Sequence, residues 1–214
     1  MDIQYIYGTK KNKKSKPAVE PEESDDDDDE TTKSESMISR DKNHVYFHSG
    51  VDQKSSYKLN SLIKEAEEYC IVTALKLSID DIPIYVHLNS CGGCIFSAFI
   101  VIDVIKGCRV PVHSIIEGSA ASAATLISVS CAKRYIRANA YALIHQLSSV
   151  CWGKMSEIED EYTHLTELMT HIKKIYTDNS SLSGKELDKL LKRDLWLNSE
   201  TSIKHGLVDE VWTK

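Results

Sequence analysis

From Asn43 onward the sequence predicts an α/β fold, and three observations carry that prediction. Ile82, Ile84, Val86 and Leu88 alternate with more polar neighbours, the period of a strand. A turn signal, Asn89-Ser90-Cys91-Gly92-Gly93, then separates this strand from residues 94–106, a stretch apolar almost all round and so a buried helix. The alternation of strand and helix continues downstream, the order that right-handed βαβ units require.

The elements follow in sequence. Val45-Tyr46-Phe47 reads as a short strand. Leu59, Leu62, Ile63 and Ala66 recur at helical spacing and place an amphipathic helix over about 53–69. After the buried helix, Val110, Val112, Ser114 and Ile116 alternate as a strand. Residues 120–131 suit a helix packed through small side chains, and Tyr141 to His145 reads as another strand. Residues 154–177 differ in kind. Met155, Ile158, Tyr162, Leu165, Met169, Ile172 and Tyr176 keep strict 3,4 spacing, a narrow coiled-coil-like seam. Periodicity alone leaves two readings open: a helix lying on its own sheet, or a helix offered to a partner. Ser183-Gly184-Lys185-Glu186 is a capping box that opens a helix to about Arg193. Asn198-Ser199-Glu200 opens a short last helix, which Gly206 is placed to stop.

Composition sets bounds on function. A chain of 214 residues, 42% hydrophobic, supports one core domain with additions. A net charge of −6 argues against nucleic acid as the main partner, because phosphate binding wants clustered Lys and Arg. No apolar run reaches the roughly 18 residues of a membrane span. The opening Met1 to Tyr5 lacks the pattern of a secretory signal. Six cysteines, at 70, 91, 94, 108, 131 and 151, all fall in the core segment and read as reduced thiols; the expected localisation is cytoplasmic. Residues 10–16 are basic, with a faint nuclear-import pattern, and residues 20–30 are acidic. Between about Thr9 and Asp41 apolar residues are nearly absent. The expected organisation is therefore a disordered charged tail, 1–42, and one domain, 43–214. The tail reads as a solubilising segment or as an acidic interaction segment.

Several groups could carry chemistry. Gly92-Gly93 sits between a strand and a helix, where glycine lets the backbone approach a ligand with its amides free. No Lys-Ser/Thr and no third glycine follow, so an oxyanion-binding turn fits better than a phosphate loop. Cys91-Gly92-Gly93-Cys94 has thioredoxin-like spacing, but no second Cys pair or His pair completes a zinc set. Ser122 lies among small residues, Gly118 to Ala124, at the start of a helix whose amides suit a developing oxyanion. His145 closes an apolar strand, and Asp194 follows a helix beside Arg193. Taken singly, each has an ordinary structural explanation.

Together these motifs resemble the Clp protease proteolytic subunit family, ClpP, over about Val45 to Val211. The markers stand in family order: Ile84 to Gly93, Gly118 to Ala123, Leu143-Ile144-His145-Gln146, Lys192-Arg193-Asp194 and Gly206 to Asp209. The resemblance implies a crotonase-like α/β fold with a protruding helical handle at about 154–177. It implies a serine endopeptidase with Ser122 as nucleophile, His145 as base and Asp194 orienting it, and backbone amides of Gly92 and Ala123 as oxyanion donors. Arg193 would link ring assembly to the triad. The implied assembly is a homo-oligomer of two stacked heptameric rings, fed with protein or peptide substrates by an AAA+ unfoldase. No cofactor is implied, ATP being used only by that partner. The chain departs from the family pattern at Cys91 and Leu147, where proline is usual, and at Ser149-Val150, where glycines are usual. Three other functions compete: a non-catalytic ring subunit, a crotonase-type acyl-CoA enzyme, and a thiol oxidoreductase.

Overall fold

The structure, a computed structural model, describes residues 37–213. It opens on a hairpin: β1 (Ile38–Asp41) pairs antiparallel with β2 (His44–Phe47) across a turn in which Lys42 takes φ 55°. β1 therefore lies in the fold, which corrects the boundary expected at residue 42. Its only strongly apolar residue, Ile38, is 5% exposed, and one anchored side chain plus backbone pairing suffices where no periodic pattern shows. Residues 1–36 of the expected tail lie outside the described residues.

Helix α1 (Gln53–Leu77) starts at Asp52, whose carboxylate accepts from Ser55 N at 2.7 Å while Ser55 Oγ accepts from Asp52 N at 2.9 Å. It runs past the expected end at residue 69. Its fully buried stripe stops at Cys70, but after Ile71, Val72 and Thr73 the strong helix formers Ala74-Leu75-Lys76-Leu77 carry it on, with Leu75 and Leu77 exposed. Then come β3 (Ile84–Ser90), α2 (Ile95–Lys106), β4 (Val112–Ala121), α3 (Ala123–Val129), β5 (Lys133–Ile136) and β6 (Tyr141–Leu143). The chain closes with α4 (Met155–Asn179), α5 (Gly184–Leu191), β7 (Trp196–Leu197), α6 (Ser199–Lys204) and β8 (Glu210–Val211).

The sheet order is β1-β2-β3-β4-β5-β8, parallel from β2 to β8. Val45, Phe47, Val86 and Leu88 are buried with Leu59, Ile63, Ile95 and Ile127 of the helices. The residues between them, His44, Tyr46, Tyr85 and His87, form an aromatic layer of stacked rings. β4 is long enough to serve two partners. Its first half pairs with β5, and its last residues pair with β6 instead: Ser119↔Tyr141, Ala120↔Ala142, Ala121↔Leu143. The switch falls at Gly118, φ 71°. β6 in turn carries β7 antiparallel. The sheet thus forks at the carboxyl ends of its strands, the end where open α/β sheets place ligands.

The handle helix α4 divides its seam between two environments. Met155 and Tyr162 are 71% and 73% exposed, whereas Ile172 and Tyr176 are 2% and 1% exposed in this chain's own core. The single narrow stripe seen in the sequence is thus half core and half free surface. No helix among the described residues is long and apolar enough to cross a membrane.

Candidate active site at the fork of the sheet

Ser122 alone makes the turn from β4 to α3. Its φ of 56° and ψ of −122° lie outside the regions that non-glycine residues favour. Such a conformation costs about 1–3 kcal/mol and persists only where the surroundings over-determine it. Here Ser122 N donates to Leu143 O at 2.8 Å, and Ser122 O accepts from Thr125 N at 2.9 Å. Ala120, Ala121, Ala123 and Ala124 crowd the turn at 0–5% exposure, which larger side chains would prevent. The Ser122 hydroxyl is buried and makes no hydrogen bond among the described residues. A buried hydroxyl left unbonded is unfavourable by about 1–3 kcal/mol, so its retention calls for a function.

Gly92 lies directly against this elbow at φ 86°. A Cβ there would stand 2.5 Å from Ala121 O and 2.8 Å from Ser122 Cβ, so no other residue fits. The turn is held from behind by Val51, whose N donates to Gly92 O at 2.8 Å and whose O accepts from Cys94 N at 2.7 Å. The Gly92 N–H donates to Ser90 Oγ at 3.2 Å, a long and exchangeable bond. Ala123 is the first residue of α3, where helix geometry leaves an N–H without an intrahelical acceptor. Gly92 and Ala123, the residues whose amides are expected to receive an oxyanion, therefore both lie against Ser122.

His145 arrives through strand pairing. β6 runs parallel to β4 with Ala121 opposite Leu143, so Ser122 and His145 leave the same end of neighbouring strands. β7 then supplies the third residue. Its register is Ala142↔Leu197 and Leu143↔Trp196; continued two places, it sets His145 opposite Asp194. A hydrogen bond from Gln146 N to Leu191 O, 2.9 Å, fixes this segment to the end of α5.

His145 Nδ1 lies 3.6 Å from Asp194 Oδ1, an ion-pair distance rather than a hydrogen bond; the carboxylate side chain is 81% exposed and the imidazole 19%. Burial lowers the His145 pKa, and Asp194 offsets part of that drop. The imidazole is therefore neutral at pH 7, the form a general base needs. The fold thus brings His145 to Asp194 and sets Ser122 between Gly92 and Ala123. It does not join Ser122 Oγ to His145 by a hydrogen bond. Arg193, exposed at the end of α5, makes no ion pair or side-chain hydrogen bond among the described residues.

The cysteines are all free; Cys91 is exposed and Cys94 half-buried. Among the described residues no group of three or more His, Cys, Asp or Glu side chains is arranged to hold a metal. Two residues at the elbow escape sequence reasoning altogether. Thr125 Oγ1 donates to Ser122 O at 2.6 Å and meets the Tyr176 hydroxyl at 2.6 Å. A threonine in a small-residue helix and a tyrosine on an apolar seam both read as packing, and their 51-residue separation hides the contact.

The chain matches the family model described as Clp protease over residues 30–214. It is 33% identical over 131 residues to the ATP-dependent Clp protease proteolytic subunit 2 of Treponema denticola, 60% of this chain and 66% of that protein. The match thus spans just under two thirds of the Treponema protein's length. It is 30% identical over 169 residues to the ATP-dependent Clp protease proteolytic subunit 2 of Pseudomonas aeruginosa, 78% of this chain and 79% of that one. It is 32% identical over 132 residues to the ATP-dependent Clp protease proteolytic subunit of Streptococcus mutans, 60% of this chain and 67% of that protein.

Proposed function

The chain belongs to the Clp protease family, and from that premise we propose that it is a serine-type endopeptidase subunit. In this reading Ser122 Oγ attacks the peptide carbonyl while His145 Nε2 takes its proton, and the imidazolium is held by Asp194 on the Nδ1 side. The amides of Gly92 and Ala123 receive the oxyanion. Collapse of the tetrahedral species breaks the C–N bond, and His145 gives the proton to the leaving amine. Water, deprotonated by the same imidazole, then hydrolyses the acyl-enzyme ester and restores Ser122.

The observation that carries the reading is the elbow itself: a strained serine with a buried, unbonded hydroxyl, pressed against a glycine that nothing else can replace. The exposed half of the α4 seam supports assembly through the handle, with two stacked heptameric rings as the expected form. Protein or peptide substrates, delivered by an AAA+ unfoldase, follow from the same family premise. The free cysteines support a reducing, cytoplasm-like compartment. We take residues 43–214, extended to include β1, as the catalytic domain.

One observation favours a second reading, a ring subunit without activity of its own: Asp194 is exposed and 3.6 Å from His145. A short fluorogenic peptide separates the two. Hydrolysis by the assembled chain that disappears in Ser122→Ala supports the peptidase; no hydrolysis by the assembled wild type supports the inactive subunit.

A further inference from the structure

A directional hydrogen-bond chain enters the elbow from the handle helix. Thr125 Oγ1 is 2.6 Å from Ser122 O and 2.6 Å from the Tyr176 hydroxyl. A carbonyl oxygen can only accept, so the Thr125 proton points to Ser122 and the Tyr176 O–H donates to Thr125. The proton order is therefore fixed: Tyr176 to Thr125 to Ser122. The three residues are 1%, 2% and 4% exposed, so the chain is closed to bulk water.

A threonine that donates to the carbonyl three residues back is common at helix starts. Here that carbonyl belongs to the one residue held at φ 56° and ψ −122°. The same backbone torsions set its orientation, aim the Ser122 Cα–Cβ bond and restrict the rotamers open to Oγ. Fixing the carbonyl therefore helps to fix the hydroxyl. The amides of Thr125 and Leu126 also reach Ser122 O, at 2.9 and 3.4 Å, but helix geometry supplies those at any helix start. The Thr125–Tyr176 link is specific to these two side chains, and it brings the buried end of α4 into the support of the turn.

We propose that Thr125 and Tyr176 are positioning residues for Ser122, holding the elbow in its strained conformation through this chain of hydroxyls. The proposal rests on Ser122 being the nucleophile. Its consequence differs from that of packing. Replacing Thr125 by valine keeps the shape but removes both the donor to Ser122 O and the group that meets the Tyr176 hydroxyl, so reactivity falls. Replacing both residues, Thr125→Val with Tyr176→Phe, removes both hydroxyls while keeping similar side-chain shapes. The elbow nevertheless loses its hydroxyl support, and reactivity stays low.

The test uses the full chain, a fluorophosphonate probe and a melting curve. Labelling is compared at a temperature where the melting curve shows the double variant to be folded. Its labelling rate should be roughly tenfold lower, with kcat for a fluorogenic peptide reduced alike and KM little changed. Thr125→Ser keeps the hydroxyl and should recover most of the labelling rate. A double variant that labels at the wild-type rate overturns the proposal, and so does a Thr125→Ser variant as impaired as Thr125→Val. A wild-type chain that the probe never labels overturns the peptidase reading, and the positioning role falls with it.

Discussion

Among the described residues histidines gather at two carboxylates, Glu117 and Asp194, and the tighter grouping is not the one near the serine. On the aromatic layer of the sheet, His87 Nδ1 meets Glu117 Oε1 at 3.0 Å, Arg137 grips the same carboxylate at 3.1 Å, and His87 Nε2 faces His44 Nδ1 at 2.8 Å. Burial would raise the Glu117 pKa, but hydrogen bonds from His87 and Arg137 more than reverse this and hold it below the usual carboxylate range. At the fork, His145 and Asp194 stand 3.6 Å apart, with the carboxylate in water. A network of short, charge-assisted hydrogen bonds resists change and suits a structural role. A looser pair beside a buried, unbonded hydroxyl keeps capacity for a substrate. Catalytic hydrogen bonds in unliganded enzymes are often long in the same way.

Replacing each group should sharpen the contrast. Ser122→Ala gives the largest effect: peptide hydrolysis falls by roughly a thousandfold or more, while the melting temperature holds or rises, because an unsatisfied buried hydroxyl is gone. Asp194→Asn comes next, with a loss of kcat on the order of a hundredfold or more. Burial lowers the His145 pKa and Asp194 raises it, so without the carboxylate the acid limb of the pH–rate profile moves to lower pH. A limb that moves upward would detach Asp194 from His145.

Handle substitutions come third. Glu at Ile158 and Tyr162, in the exposed half of α4, should dissociate the oligomer in light scattering and lower hydrolysis by about tenfold or more. Glu at Ile172 should instead unfold the chain, since that residue is 2% exposed. Glu117→Gln is the smallest in activity. It should lower stability by about 1–3 kcal/mol yet leave hydrolysis within about twofold.

Burial lowers the pKa of His44, His113 and His145 in the same direction as that of His87, and the sign of the pH dependence of stability follows for each as it does for His87. Burial chiefly lowers its pKa, with Glu117 opposing, so the folded state binds this proton less readily than the unfolded chain does. Stability is then full above the ordinary histidine pKa of about 6.5 and falls as pH drops through that value toward the folded one. Denaturant melts between pH 7 and pH 5 check the sign.

The legible parts of the fold were those with a period to read. The buried helix α2 and the capping box at Ser183 stand out because apolar spacing and cap chemistry are local. β5 escaped notice because Lys133, Arg134 and Tyr135 are polar or half-exposed and only Ile136 is buried. β7 and β8 are two residues each, too short for any period to show. Ser122, His145 and Asp194 stand out through resemblance, not spacing. What brings His145 opposite Asp194 is the pairing of β6 with β7, a register that no local pattern encodes. The support from Thr125 and Tyr176 was hidden for the same reason.

The most direct measurement locates the reactive serine. The assembled full chain is treated with a fluorophosphonate, digested, and its adduct mapped by mass spectrometry. The account predicts one modified peptide, carrying the phosphonyl group on Ser122 and nearly absent from His145→Ala. An adduct on a different serine, or undiminished labelling of Ser122 without His145, would contradict it.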